Sequence, residues 1–375
     1  MRRISISIIA LLLLGVALTN QPAAATQFRR VTSIAGRDSD PAPSPDGKWL
    51  AFSREHGKSV QIWVMPIAGG AARQITSEPE SVKVQDPERP DTTRTIYVRA
   101  MTPTWSPDSK SILFISTRTG RYNIYRVPLE GGKPRLVSNA PGGHRFAVYS
   151  PDGKEIAFYS NRMQPDQLFG FNIYVMDSAG ETPDHMARQL TNSKGSPGHP
   201  TWSPDGKWIA YVEKEFNPNK KVSVGKGMEV SQNPITAAYK VYKTPAQGGR
   251  EIRVGEAAVG GKDYEDTWPS WCPTDERWIA VARTIDGKRD VWIIDTRTNR
   301  SFPLTSTGTA SKPTWTYDGK ALYFTTFDGK NEEIWIATDL TLRASAAPAR
   351  APAVKHAAGT AKKKSPGAAT GKAAK

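Results

Sequence analysis

Along its 375 residues the chain repeats one phrase six times: PAPSPDGKWLAF from Pro41, PTWSPDSKSILF from Pro103, AVYSPDGKEIAF from Ala147, PTWSPDGKWIAY from Pro200, PSWCPTDERWIAV from Pro269 and PTWTYDGKALYF from Pro313. No feature restricts the fold more, because a unit of this kind buries its apolar face only by stacking against its own copies. Ser-Pro-Asp-Gly reads as a tight turn. Proline supplies the fixed φ of a type I turn, aspartate bonds the turn backbone, and glycine takes the positive φ from which the next strand begins. Ser109 stands for the glycine in the second copy, Tyr317 for the proline in the sixth, and the fifth copy is one residue longer.

After each turn comes a nearly continuous apolar run (WLAF, ILFI, IAFY, WIAY, WIAV, LYF), which is the pattern of a strand covered on both faces. A third strand follows at residues 62–64, 124–126, 173–175, 241–243, 291–293 and 334–336. A fourth, starting at Arg73, Arg135, Arg188, Glu251 and Phe302, alternates apolar with polar or basic residues. Four antiparallel strands make one blade, and the intervals Pro107 to Pro151 and Pro273 to Tyr317 match the period of about 44 residues that such a blade needs. The expected fold is therefore all-β, a six-bladed β-propeller of four-stranded antiparallel blades. Two insertions explain the wider intervals: residues 77–101 leave the outer strand of the first blade, and residues 213–238 open between the second and third strands of the fourth. Arg29-Arg30-Val31-Thr32-Ser33 matches the outer-strand phrase before any blade has begun, whereas the sixth copy reaches only its third strand. Residues 28–33 are thus expected to complete the last blade, closing the ring and removing an open edge.

The two ends differ from the repeats. Arg2 and Arg3 precede an apolar stretch at residues 4–18 and then Ala23-Ala24-Ala25, the pattern of a signal peptide at residues 1–25. Ser5, Ser7, Gly15 and Thr19 interrupt the stretch, which is also too short for a membrane span. Residues 342–375 are rich in Ala, Pro and Lys and hold no acid or aromatic residue, as in a disordered tail. Of the formal net charge of +15, this tail holds most of the excess. The propeller at residues 26–341 retains about +5, too little for the basic face of a nucleic-acid-binding fold. Cys272 is the single cysteine, so no disulfide within the chain is expected and its side chain reads as a packed small residue. The expected localisation is periplasmic or secreted, with no transmembrane segment in the mature chain.

W-S-P-D-G-K-x-I-A-F, followed by I-Y-V-x-D and R-Q-L-T, resembles the repeat of TolB-like propellers and of the propeller halves of dipeptidyl-peptidase-like serine hydrolases. The resemblance runs from Pro41 to about residue 340 and covers the propeller alone. Only residues 26–40 precede the first blade, so the amino-terminal α/β domain of TolB is not expected. On the TolB side it implies a periplasmic propeller that docks a protein at its mouth. On the hydrolase side it implies a Gly-x-Ser-x-Gly elbow in a following domain. The sequence contains no Gly-x-Ser-x-Gly, no His-Glu-x-x-His and no phosphate-binding glycine loop.

Ligands of propellers meet the central channel or the loops at its mouth, which selects the residue leading each first strand. Asp40, Thr102, Phe146, His199, Trp268 and Lys312 are the candidate ligand-binding residues at the channel entrance; two bring charge and one titrates. The plainer account is that they begin strands at a solvated rim. The histidines show no close pairing of the kind that holds a metal, and no metal, cofactor or catalytic residue is expected. Asp46, Asp152, Asp205 and Asp318 are explained by the turns they occupy. Trp105, Trp202, Trp271 and Trp315, with Tyr149, fall at one phase of the first strand and read as blade-to-blade packing rather than a carbohydrate platform. In the tail, Lys362, Lys363 and Lys364 are candidates for an anionic polymer or lipid headgroups, and no nucleic acid is expected. The reading that results is a monomeric protein-interaction or ligand-binding scaffold in the cell envelope, with an envelope protein as partner. The alternative is a hydrolase or lyase acting on an extracytoplasmic polymer through residues in the channel.

Overall fold

The computed structural model describes residues 25–33, 36–85, 89, 91–138, 140–165, 170–179, 186–193, 195–215, 238–340 and 342. The leader as far as residue 24, most of the second insertion, His185, His356 and the tail with Lys362, Lys363 and Lys364 lie outside them. The amino-terminal strand is β1 (Gln27–Arg30). The first blade holds β2 (Asp38–Pro43), β3 (Trp49–His56), β4 (Ser59–Pro66) and β5 (Arg73–Gln74), and is followed by a hairpin of β6 (Ser81–Gln85) and β7 (Thr93–Tyr97). The second holds β8 (Ala100–Trp105), β9 (Ser111–Ser116), β10 (Asn123–Pro128) and β11 (Arg135–Ser138). The third holds β12 (His144–Tyr149), β13 (Glu155–Ser160), β14 (Asn172–Asp177) and β15 (Arg188–Gln189). The fourth holds β16 (Gly198–Trp202), β17 (Trp208–Lys214), β18 (Tyr239–Pro245) and β19 (Ile252–Val254). The fifth holds β20 (Glu265–Trp271), β21 (Trp278–Ile285), β22 (Lys288–Asp295) and β23 (Ser301–Pro303), and the sixth β24 (Ser311–Trp315), β25 (Leu322–Phe327) and β26 (Glu332–Thr338).

Each blade is a four-stranded antiparallel sheet, and the sixth is completed by β1, in the order β1-β26-β25-β24. The closing strand pairs Gln27 with Thr338 and Arg30 with Trp335, and Phe28 meets Phe324 edge to face at 6.1 Å. Residues 28–33 thus supply the sixth blade's outer strand, as the sequence pattern requires.

Six apolar clusters lie between neighbouring blades and none lies within one. Leu50 and Phe52 of β3, for example, pack against Tyr323, Ile334 and Ile336 of the sixth blade, while Cys272 and Trp278 pack against Trp315 and Phe324. That is why the middle strands are apolar on both faces: each is covered by the blade before it and the blade after. A fully buried side chain of this size contributes about 1.5–3 kcal/mol, so the ring is held by its junctions.

The turns follow from their residues. In the first, the Ser44 amide donates to the Trp49 carbonyl (2.7 Å), the Ser44 hydroxyl donates to Asp46 Oδ1 (2.6 Å), and the same carboxylate oxygen accepts the Lys48 amide (3.1 Å). The clasp recurs as Ser106 with Asp108, Ser150 with Asp152, Ser203 with Asp205 and Thr316 with Asp318. Gly47 sits at φ +69°, and Ser109 takes the same left-handed conformation at +61°. The fifth turn has Cys272 in place of the hydroxyl and closes one residue later, from the Cys272 amide to the Trp278 carbonyl (2.9 Å). Among the described residues no helix is long and apolar enough to cross a membrane.

Candidate functional site

The innermost strand of every blade carries a β-bulge. Pairing in β2 shifts between Ser39 and Ala42, and equivalent shifts occur in β8, β12, β16, β20 and β24. Within each bulge one residue is left-handed: Asp40 (φ 52°), Thr102 (53°), Phe146 (51°), His199 (55°), Trp268 (49°) and Lys312 (53°). These are the six residues that the sequence placed at the channel entrance. They stand inside the strands rather than leading them, because the bulge turns the chain one residue before the proline that five of them precede.

The bulges bring all six together as a ring around the channel. Lys312 Nζ lies 3.1 Å from Asp40 Oδ1. Asp40 Oδ2 accepts the Ser53 hydroxyl (2.8 Å) and the Thr102 amide (3.4 Å). Phe146 meets the His199 ring edge to face at 4.2 Å, His199 lies 5.7 Å from Trp268, and Lys312 Nζ lies 5.8 Å from the Trp268 ring centre. The ring is divided. At the junction of blades six and one it is ionic, and Glu332 adds a second carboxylate 3.3 Å from Lys312 that accepts the Ser39 hydroxyl (2.7 Å). Across the channel it is aromatic, with Tyr159 5.7 Å from His199 and 5.3 Å from Phe171. Arg145 lies over the Tyr122 and Phe171 rings, and Arg289 over Trp268.

Burial sets the protonation of these groups. It works to raise the Asp40 carboxyl, but Lys312, Ser53 and the Thr102 amide outweigh it and hold Asp40 below the usual carboxylate range. It works to lower the Lys312 ammonium, yet Asp40 and Glu332 outweigh that and hold it above the usual lysine value. His199 has no such pair. Burial, aided by Lys312 and Arg145 against the pull of Asp40, brings it to about 3, so its imidazole is neutral at pH 7. Its Nδ1 is buried without a hydrogen-bond partner, and so is the hydroxyl of Thr102.

From the ring a funnel of about 430 Å³ opens toward the Ser-Pro-Asp-Gly turns. Its walls are the phrase itself: Pro41, Pro103, Pro200, Pro269 and Pro313, then Trp105, Trp202, Trp271 and Trp315. Those four tryptophans also join blades. The indole N–H of Trp105 donates to Ala42 O (2.8 Å), of Trp202 to Val148 O (3.3 Å) and of Trp315 to Ser270 O (3.1 Å), each in the preceding blade, while Trp271 donates within its own turn to Glu276 O (2.8 Å). The opposite, loop-bearing face is where inner strands begin. The first insertion and the described ends of the second, residues 213–215 and 238, are on it, because antiparallel order returns the chain there after the second and the fourth strand of every blade. The first forms the β6–β7 hairpin, pairing Ser81 with Tyr97, and Lys58 from the first blade donates to the Tyr97 hydroxyl (2.9 Å).

Sequence reasoning missed Glu332, Ser39, Ser53, Tyr159 and Arg145. Ser39 and Asp40 of the first blade reach Lys312 and Glu332 of the sixth only when the ring closes, and although Lys312 and Glu332 share a blade they lie two strands apart, a contact that strand alternation does not announce. The repeated X-Pro at one offset is the signal that was available for the bulge, since proline bars the preceding residue from the right-handed helical region.

Residues 99–218 match the family described as the TolB beta propeller domain. The chain is 27% identical over 205 residues to an uncharacterized protein of Agrobacterium fabrum, covering 47% of this chain and 69% of that one. It is 29% identical over 189 residues to the Tol-Pal system protein TolB of Francisella tularensis, covering 49% of this chain and 37% of that one; the match spans little more than a third of that relative's length. Among solved structures, a putative TolB from Agrobacterium tumefaciens superposes with a TM-score of 0.56 at 19% identity, over 84% of this chain and 97% of that one. The last likeness is one of fold.

Proposed function

From the premise that this chain is a TolB-like six-bladed β-propeller, we propose that it is an exported binding scaffold of the periplasm or cell surroundings, which docks a protein on its loop-bearing face and takes a ligand in its channel. The observation that carries the reading is the ring of six left-handed residues. A side chain in that conformation costs about 1 kcal/mol or more, which glycine would avoid. None of the six is glycine, and one is the β-branched Thr102. Strain kept at one level of all six blades is accounted for if the side chains are needed in the channel.

The electrostatics favour binding over proton transfer. General acid–base catalysis works best with a group whose pKa lies near the working pH. His199 at about 3 and an Asp40 held low are both far from it. On the loop-bearing face the β6–β7 hairpin and the base of the second insertion stand beside the same mouth, which suits a protein partner. The TolB relatives support an envelope setting for that partner. Lys362, Lys363 and Lys364 are proposed to add contact with anionic polymer or lipid headgroups.

The test is site-specific photocross-linking in intact cells, with the probe at Tyr97 on the hairpin or at Tyr317 on the turn face, both exposed. A reproducible protein adduct from Tyr97, and none from Tyr317, is expected. Absence of any adduct from Tyr97 under conditions where the protein is correctly localised would remove the docking proposal.

A further inference from the structure

The funnel has a chemical character of its own. Of the described residues that line it, only Asp40 and Lys312 carry charge, and they are paired at 3.1 Å, with Glu332 as a second carboxylate behind Lys312. An anionic ligand would lose its hydration and meet an ammonium already shared by two carboxylates, so the funnel selects against one. The walls are proline rings, which present C–H groups and offer no N–H, and the indoles of the phrase have their own N–H groups committed to backbone carbonyls. A peptide strand would find almost no partners for its backbone. At the floor the Lys312 ammonium is engaged by Ser39, Asp40 and Glu332, which leaves the remaining acceptor capacity of the Asp40 carboxylate and the Thr102 hydroxyl side by side, while the walls add scattered hydroxyls such as Ser270 and Thr314. Thr102 is 9% exposed, and its Oγ1 has no partner. A buried hydroxyl left so costs stability, and the cost is recovered when a ligand hydroxyl meets it. Beside this corner stand the rings of Trp268 and Phe146, both lining the funnel.

We propose that the funnel binds a neutral sugar ring, with adjacent hydroxyls on Asp40 and Thr102 and its C–H face against Trp268, the proline walls enclosing a second unit. Neutral charge, clustered hydroxyls and an apolar face are properties that a pyranose combines. The volume of about 430 Å³ falls within the range of small-molecule sites. The stacking residue is Trp268 on the ring of bulges, distinct from the four tryptophans of the phrase. This inference rests on the channel as a ligand site and adds the class of ligand.

The experiment is saturation-transfer NMR on the full chain, using millimolar methyl glycosides of glucose, galactose, mannose and N-acetylglucosamine, the disaccharides cellobiose and chitobiose, and the charged methyl glucuronide. Transfer is expected to the ring protons of at least one neutral glycoside and not to the glucuronide. Trp268→Leu should abolish it. Thr102→Val preserves shape and β-branching at a strained position, and should weaken binding about 3- to 10-fold, the worth of one hydrogen bond; unchanged melting curves separate this from misfolding. If no neutral glycoside shows transfer, or if transfer is indifferent to both substitutions, the sugar proposal is overturned. Uncharged Ala-Pro peptides are run in parallel. Trp268-dependent binding of those alone would overturn the ligand class and leave the channel site standing, whereas silence from both panels would overturn the channel reading as well.

Discussion

At the scale of single residues, carboxylates do the holding. The turn aspartates Asp46, Asp108, Asp152, Asp205 and Asp318 all lie below the usual carboxylate value, chiefly through the hydroxyl two residues before each. Asp295 behaves alike for another reason. Burial works to raise it, but Arg277 and the amides of Arg297 and Thr298 bring it to about 2. A carboxyl whose folded value is depressed from 3.8 to about 2 contributes stability that is complete above about pH 4 and is lost as pH falls through 2. Asp295→Asn should therefore lower the melting temperature by a few degrees at pH 7, with the difference from the parent shrinking toward zero at pH 2. A difference that stays constant across thermal melts at pH 7, 4 and 2 would contradict the assignment.

At the scale of elements, the closing strand is the most exposed to test. Deleting residues 27–33 removes the β1 ladder, the Phe28 contact with Phe324 and the bond from the Val31 amide to Ile334 O (2.8 Å). Phe28 is partly buried, so loss of its packing is worth on the order of 1 to 2 kcal/mol, and with the β1 ladder gone as well several degrees of thermal stability should go; an unchanged melting curve would contradict closure by this strand. The strand was legible in the sequence because Arg29-Arg30-Val31-Thr32-Ser33 repeats the outer-strand phrase, just as the blades were legible from Ser-Pro-Asp-Gly and the apolar runs. The six ring residues were also found, by their offset from the repeat. Their left-handed conformation was not, since a bulge breaks the period of two on which strand reading depends. Nor was the pairing of Lys312 with Asp40 foreseeable, because it joins the sixth blade to the first across the closed ring, and the contacts of Lys312 with Glu332 and of His199 with Tyr159 cross strands that are not sequence neighbours.

At the scale of the whole molecule, the two faces divide the labour. The funnel opens among the turns, while the β6–β7 hairpin and the described ends of the second insertion stand on the loop-bearing side. β26 runs from the loop-bearing side to the turn side and leads to Leu340, which packs on the junction of blades five and six. Truncation after Leu342, which packs on the same junction, should leave the melting temperature unchanged and abolish salt-sensitive retention on envelope fractions; equal retention at low and high salt with and without residues 343–375 would dispose of the anionic-surface role. The closure strand has a further consequence, and it concerns time. Gln27 is among the earliest of the described residues to be made and its partner Thr338 among the last. No stretch of growing polypeptide can therefore shut the circle. The pair that shuts it joins residues more than three hundred apart in the chain, a contact whose loop-closure entropy has to be met before the ring is rewarded, which places closure among the slow steps of folding.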